Sequence, residues 1–210
     1  MIFDIHTHNL DADNAVISVT PENYSPQPGK LYSVGVHPWD TEKEKESILE
    51  QLEDMVIDDP RVVAIGESGI DILRGASKTK QIEFLKFHIY LSEKKQCPLV
   101  LHCVRANGEI IALHKRFSPK QPWIVHGFRG KSMVASAFVA AGIYISFGYL
   151  FNPAAVCATP LDKILVETDD SEHSLVSTYN KIAKAKGIKP HVLRNAVMQN
   201  IKELFHSQSI

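Results

Sequence analysis

Residues 2–8 read IFDIHTH. In an extended strand successive side chains point to opposite faces, so Asp4, His6 and His8 share one face while Phe3, Ile5 and Thr7 share the other. The second face suits a core, and the first offers the side chains that bind metal ions. Taken alone, the pattern is more often that of a half-exposed strand with polar residues in water. The rest of the chain decides between the two readings.

Seven further runs rich in Val, Ile and aromatic residues follow: AVISVT (15–20), LYSVGVHP (31–38), VVAIGES (62–68), PLVLHCV (98–104), PWIVHGF (122–128), IYISFGY (143–149) and KILVETD (163–169). Segments with helical periodicity lie between most of them. Ile48, Leu52, Met55 and Val56 mark one helix face, and Ile82, Leu85 and Ile89 a second. Ser132 is the expected N-cap of a helix holding Val134 and Phe138, with Gly142 as its stop. Val192, Ala196, Met198, Ile201, Leu204 and Phe205 give a last amphipathic helix. Eight strands in this alternation predict an α/β fold, a distorted (β/α)8 TIM-type barrel.

The first unit of that series is too short. Only NLDADN separates His8 from AVISVT, whereas a helical crossover between parallel strands takes roughly a dozen residues or more. The loop looks like a hairpin connection, so either the second strand is antiparallel or the first βα unit is truncated to a loop. Residues 9–14 are expected to hold no helix, leaving the barrel one outer helix short. TPENYSPQPGK, which follows, reads as a surface connection because the strand series resumes directly after it. The chain is therefore expected to be one domain, residues 1–210.

With 23 Lys and Arg against 24 Asp and Glu, the formal charge is −1. Such a balance gives no general attraction to nucleic acid or anionic membrane, so a polyanion must be held locally. Neither a charged-then-apolar leader nor a long apolar span is seen, which predicts a cytoplasmic protein with no membrane association and no obligate protein partner. Cys97, Cys103 and Cys157 are odd in number and widely spaced, as reduced thiols are.

The ligand-type residues fall at strand ends. His6 and His8 end the first strand, His37 the third, Glu67 the fourth, His102 the fifth, His126 the sixth and Asp169 the eighth. In a barrel these ends converge on the rim where active sites lie. His88, His114, His173, His191 and His206 fall in helical or loop segments and are expected to face solvent. Four imidazoles and two carboxylates can hold two divalent ions about 3.5–4 Å apart, which polarise an oxygen and lower the pKa of water. Nitrogen and oxygen ligands without thiolate suit Zn, Mn, Ni, Fe or Mg. Cys103 points to the opposite face from His102 and is not expected to ligate. Asp4 and Glu167 share parity with the ligands and are read as partners that orient them.

DIHTH at 4–8, GVHP at 35–38, GESGID at 66–71, LHC at 101–103, HGFRG at 126–130 and ETD at 167–169 resemble, in order, the motif series of the TatD-type metal-dependent deoxyribonucleases. VMQNIKELF at 197–205 resembles that family's last helix. The resemblance implies one metal site from His6, His8, Glu67 and Asp169 and a second from Glu67, His102 and His126, with Glu67 shared. It also implies a distorted barrel and hydrolysis of DNA phosphodiesters from the 3′ end, with a water shared between two cations. Three features depart from the family. Its first helix is missing, Gly-Phe-Arg stands between His126 and Gly130 where Cys-Phe-Ser is usual, and DSEHS runs into a helix where a Pro-containing loop is usual.

Asp169 is read as the residue that orients the attacking water and takes its proton, alongside Glu67. Arg129, His37 and Arg105 are read as substrate contacts, Arg129 foremost because it precedes a helix N-terminus that also favours anions. Arg74 and Lys131 are further phosphate candidates, and Trp39 and Phe128 serve equally for stacking a base or for packing. The expected partners are DNA ends, short oligonucleotides or small phosphodiesters. An amidohydrolase cleaving C–N bonds is the alternative, because those barrels also open with an HxH strand. Many of them place a modified lysine on the fourth strand, where this chain has Glu67. A non-catalytic metal- or oligonucleotide-binding protein is the third possibility.

Overall fold

A computed structural model describes residues 2–43 and 47–205, so that His206 lies outside the described residues. Its eight strands are β1 (Asp4–Thr7), β2 (Ala15–Val19), β3 (Leu31–Val34), β4 (Val62–Asp71), β5 (Leu99–Val104), β6 (Trp123–Val125), β7 (Tyr144–Phe147) and β8 (Ile164–Val166), each inside a run expected from the sequence except β4, which continues three residues past its run to Asp71. Seven helices accompany them: α1 (Ser47–Val56), α2 (Lys78–Lys95), α3 (Asn107–Phe117), α4 (Ser132–Ala140), α5 (Pro153–Ala158), α6 (Leu175–Lys186) and α7 (Pro190–Leu204). The strands hydrogen-bond in chain order, and Thr7 pairs with Asp169 in a parallel bridge that returns the chain to its first strand. This is the strand order of a (β/α)8 barrel.

β1 and β2 are parallel, with Asp4 opposite Ala15 and Thr7 opposite Ile17. The hairpin reading of the first loop is thus corrected, and the truncated βα unit is what the fold contains. A parallel return is possible without a helix because β1 is only four residues long. The loop must climb back about 10 Å, well within the reach of seven residues. A turn closes it: Asn9 Oδ1 accepts from the Asp11 amide at 3.0 Å, the Asn9 carbonyl accepts from the Ala12 amide, and Asn14 takes a left-handed φ of 50°. The connection from β2 to β3 also lacks an α-helix, holding only a 3₁₀ turn at Pro21–Asn23. Two outer helices are therefore missing where one was expected.

Contacts divide the chain into two compact units, residues 18–123 and residues 1–17 with 124–210, and the division passes inside β2 and β6 and through no linker. In residues 18–123 the whole of β4 is buried, and α2 covers it with Phe84, Leu85 and Ile89. In the other unit α6 buries Tyr179, Ile182 and Ala183, and the Tyr179 hydroxyl donates to the Phe3 carbonyl at 2.9 Å. α7 buries Leu193, Val197, Ile201 and Leu204. Val192, expected on that face, is exposed, because the true stripe begins one residue later. The N-cap of α4 is Lys131, with Ser132 its first helical residue, a shift of one from the expected cap.

His88 also departs from expectation. It is fully buried on α2, where Nδ1 meets the Phe84 carbonyl at 2.8 Å and Nε2 accepts from the Val36 amide at 2.9 Å. Periodicity placed it beside Leu85 and Ile89, so the apolar face includes it. His114 is half-buried with its ring 4.9 Å from that of Trp123, whereas His173 and His191 are exposed as expected.

Candidate metal centre

In the unit of residues 1–17 and 124–210, β1 carries His6 and is followed directly by His8. His6 is fully buried, whereas the His8 side chain is 46% exposed. The Nε2 atoms of both lie 3.6 Å from the same oxygen, Asp169 Oδ1. The His126 ring, carried just beyond β6, sits 4.1 Å from that of His6. Donor atoms of His6, His126 and Asp169 all fall within 4.8 Å of one another. Two imidazoles and a carboxylate converging in this way fit a divalent cation, with His8 completing the set.

The supports of this cluster are equally specific. Asp4 Oδ2 accepts from the Thr168 hydroxyl at 2.6 Å and Oδ1 from the Thr168 amide at 3.0 Å, which fixes the residue next to Asp169. Burial pushes the Asp4 carboxyl up to about 6, against the pull of those two Thr168 bonds. Asp4 thus orients Asp169 through the backbone and does not orient an imidazole. Glu167 is fully buried; its Oε1 accepts from the Gly127 amide at 2.6 Å and lies 3.6 Å from His126 Nδ1. Asp169 itself has a left-handed φ of 57°.

Residues 18–123 hold a second cluster. His37, Glu67 and His102 bring their donor atoms within 4.8 Å of one another. Glu67 Oε1 lies 2.8 Å from His102 Nδ1 and 3.0 Å from His37 Nε2. The Trp39 amide donates to His37 Nδ1 at 3.2 Å, so in a neutral ring Nε2 carries the proton. His37 therefore offers a hydrogen bond to a carboxylate or a substrate oxygen, and not a lone pair to a cation. His102 has the opposite arrangement, because its Nε2 faces Asp71 Oδ2 at 3.4 Å and turns the Nδ1 lone pair toward Glu67. A lone pair and a carboxylate oxygen at that separation suit a shared cation.

Asp71 was not singled out in the sequence, although it follows Glu67 at even spacing in GESGID and so shares its parity. It accepts from the Trp39 indole at 2.6 Å and from the Leu73 amide at 2.8 Å. Burial works against its charge, yet these donors and His102 hold its carboxyl below the ordinary carboxylate range. Gln81, buried on α2, fixes the end of β4: its Oε1 accepts from the Asp71 amide at 2.7 Å. Trp39 is thus a structural partner of the site, 43% exposed, with the Arg74 guanidinium 4.5 Å above its ring. Phe128 is buried against Phe138 and Phe147 and serves packing.

Cys103 donates to Asn107 Oδ1, and burial pushes its thiol up to about 12. Arg105 is exposed at the end of β5 and Lys131 is exposed at the start of α4. Arg129 is exposed and borders a cavity of about 110 Å³ with Gly127, Glu167 and Asp169. His8 and Asp169 border a larger one of about 610 Å³. Among the described residues no helix is long and apolar enough to cross a membrane.

The family model described as TatD related DNase matches residues 22–206. A relative from Escherichia coli K12, named uncharacterized metal-dependent hydrolase YjjV, is 31% identical over 76% of this chain and 64% of its own length. The 3′-5′ ssDNA/RNA exonuclease TatD of Edwardsiella piscicida is 30% identical over 65% of this chain and 56% of its own. The chain thus spans less than two thirds of the length of these relatives. Among solved structures, E. coli YjjV superimposes with a TM-score of 0.83 at 21% identity over 98% of both chains, and an Entamoeba histolytica TatD-family hydrolase with 0.77 at 16%. Likenesses at such identity show the fold.

Proposed function

This chain belongs to the TatD-related DNase family, and on that premise we propose that it is a cytoplasmic, divalent-metal-dependent hydrolase of phosphodiester bonds, acting on 3′ ends, short oligonucleotides or small diesters. The observation that carries the reading is the meeting of His6 and His8 on one oxygen of Asp169 at 3.6 Å each. Two ions are proposed, one held by His6, His8 and Asp169 and one by His102, with Glu67 given to both by the resemblance; His126, which the resemblance gives to the second ion, is given to the first because its donor atom lies with those of His6 and Asp169. Divalent ions, when bound, supply charge to the phosphoryl oxygen and lower the pKa of water.

The remaining steps belong to the chain's own side chains. Asp169 orients the attacking water and takes its proton, held in place through Thr168 and Asp4. His37 donates from Nε2 toward the substrate, and Arg129 steadies a phosphate beside Asp169. That the resemblance makes Glu67 common to both ions is part of the same proposal.

The overall charge of −1 favours contact with a few phosphates only. An end-labelled single strand and a closed circular DNA, digested side by side across a salt series, test this. Loss of nucleotides from the linear end with a shallow salt slope supports the proposal. Equal cleavage of the circle overturns the end preference, and activity on amide substrates but not diesters overturns the class.

A further inference from the structure

Beside the candidate centre lies a shallow, open pocket that neither metal cluster uses. It has a volume of about 270 Å³ and is lined by Arg129, Leu150, Phe151, Asn152 and Lys181. Arg129 and Leu150 also line the smaller cavity that contains Asp169. The two spaces therefore share a wall, with the candidate ligand Asp169 in one and two cations around the other.

Those cations are placed and not neutralised. Lys181, on α6, donates to the Tyr149 carbonyl at 2.8 Å and stands 3.8 Å from the Tyr149 ring centroid and 5.4 Å from that of Phe151. Its ammonium is held to the β7–α5 loop with two donors left over. Tyr149 is in turn stacked on His173, at 3.5 Å between ring centroids, so the loop after β8 braces the loop after β7. Among the described residues neither Arg129 nor Lys181 forms an ion pair with a carboxylate. The acidic groups at Glu167, Asp169 and Asp170 line the neighbouring cavity and not this one. Leu150, 58% exposed, and Phe151 supply apolar wall.

We infer that this cavity is a subsite for a second phosphate, the one flanking the bond to be cut, with Arg129 and Lys181 as its donors and Leu150 and Phe151 against the attached sugar and base. The inference rests on the phosphodiesterase reading for its place in catalysis, but its ligand chemistry is independent of turnover. It makes the chain selective for substrates bearing a phosphate on each side of a nucleoside over those bearing one.

Thymidine 3′,5′-bisphosphate and thymidine 3′-monophosphate are the probes, since neither contains a diester to be consumed. Calorimetric titration of the purified protein should show the bisphosphate binding about tenfold more tightly or better, the gain of one charge-assisted contact. In Lys181→Gln, which keeps a donor for the Tyr149 carbonyl but loses the charge, the ratio should fall toward one, and Phe151→Leu should weaken both ligands alike. An unchanged ratio in Lys181→Gln, equal affinities in the unaltered protein, or no binding of either probe overturns the subsite. Hydrolysis of a chromogenic diester is measured on the same samples. Turnover without bisphosphate preference removes the subsite and leaves the proposed function; preference without turnover does the reverse.

Discussion

Nε2 of His88 lies 2.9 Å from the backbone nitrogen of Val36, so a buried neutral imidazole on α2 accepts the peptide N–H immediately before His37. Its other nitrogen donates to the Phe84 carbonyl at 2.8 Å. Both ring atoms are committed, and protonation would break the contact with Val36.

Stability should therefore fall in mild acid. Burial depresses the His88 pKa from 6.5 to about 4, against the Phe84 hydrogen bond. Between those values the unfolded imidazole takes up a proton that the folded one refuses, so the stabilising contribution, complete above pH 6.5, is lost as pH falls toward 4. Its size is roughly 3 kcal/mol. Urea midpoints measured from pH 7.5 to 4.5 should decline more steeply in the unaltered protein than in His88→Gln; parallel declines would show that His88 does not carry the effect.

Gly69 has φ +152°, and a Cβ there would lie 2.0 Å from the His102 carbonyl oxygen. Gly69→Ala must push β5 away from β4 and displace His102, at an expected cost of about 2 kcal/mol or more. Gly108, near the start of α3, has nothing within 4 Å of its Cβ position, and Gly108→Ala should stabilise by roughly 0.5–1 kcal/mol. Thermal unfolding of the two variants should move in opposite directions.

Trp39→Phe removes the 2.6 Å donor to Asp71 and keeps an aromatic ring beneath Arg74. Asp71 then loses its shortest partner and His102 its brace, so kcat/KM on a chromogenic diester should drop about tenfold, with metal affinity reduced. An unaltered rate would show that the indole serves packing alone.

Replacing His6 and His8 together with Ala should lower bound metal by one ion per chain. Glu67→Gln should abolish turnover and weaken metal binding, because an amide lacks the anionic oxygens that a cation needs. Loss of both ions in Glu67→Gln is the outcome expected if that carboxylate is shared, and full occupancy would place the site elsewhere.

Much of this was legible in the sequence because strand parity and chain reach are local properties. IFDIHTH fixed which side chains share a face, and the six residues after His8 were too few for a helix, whatever the partner strand. Reach could not say that β2 runs parallel to β1, since direction depends on how short β1 is. Asp71 shares parity with Glu67, but no spacing shows an indole meeting it from 32 residues away. His88 was misplaced because a buried histidine needs two backbone partners, here Phe84 and Val36, and the second is 52 residues distant. The cavity at Lys181 depends on loops from β7 and β8 meeting through Tyr149 and His173, which no local pattern encodes.

The most direct test of the central claim is a metal titration of chelator-treated protein, with hydrolysis of bis(p-nitrophenyl) phosphate followed alongside bound metal. The account predicts no turnover without added divalent ion, turnover rising as occupancy approaches two ions per chain, and none at any occupancy in Glu67→Gln. Diester hydrolysis that persists in the metal-free protein, or full occupancy with no hydrolysis, would contradict it.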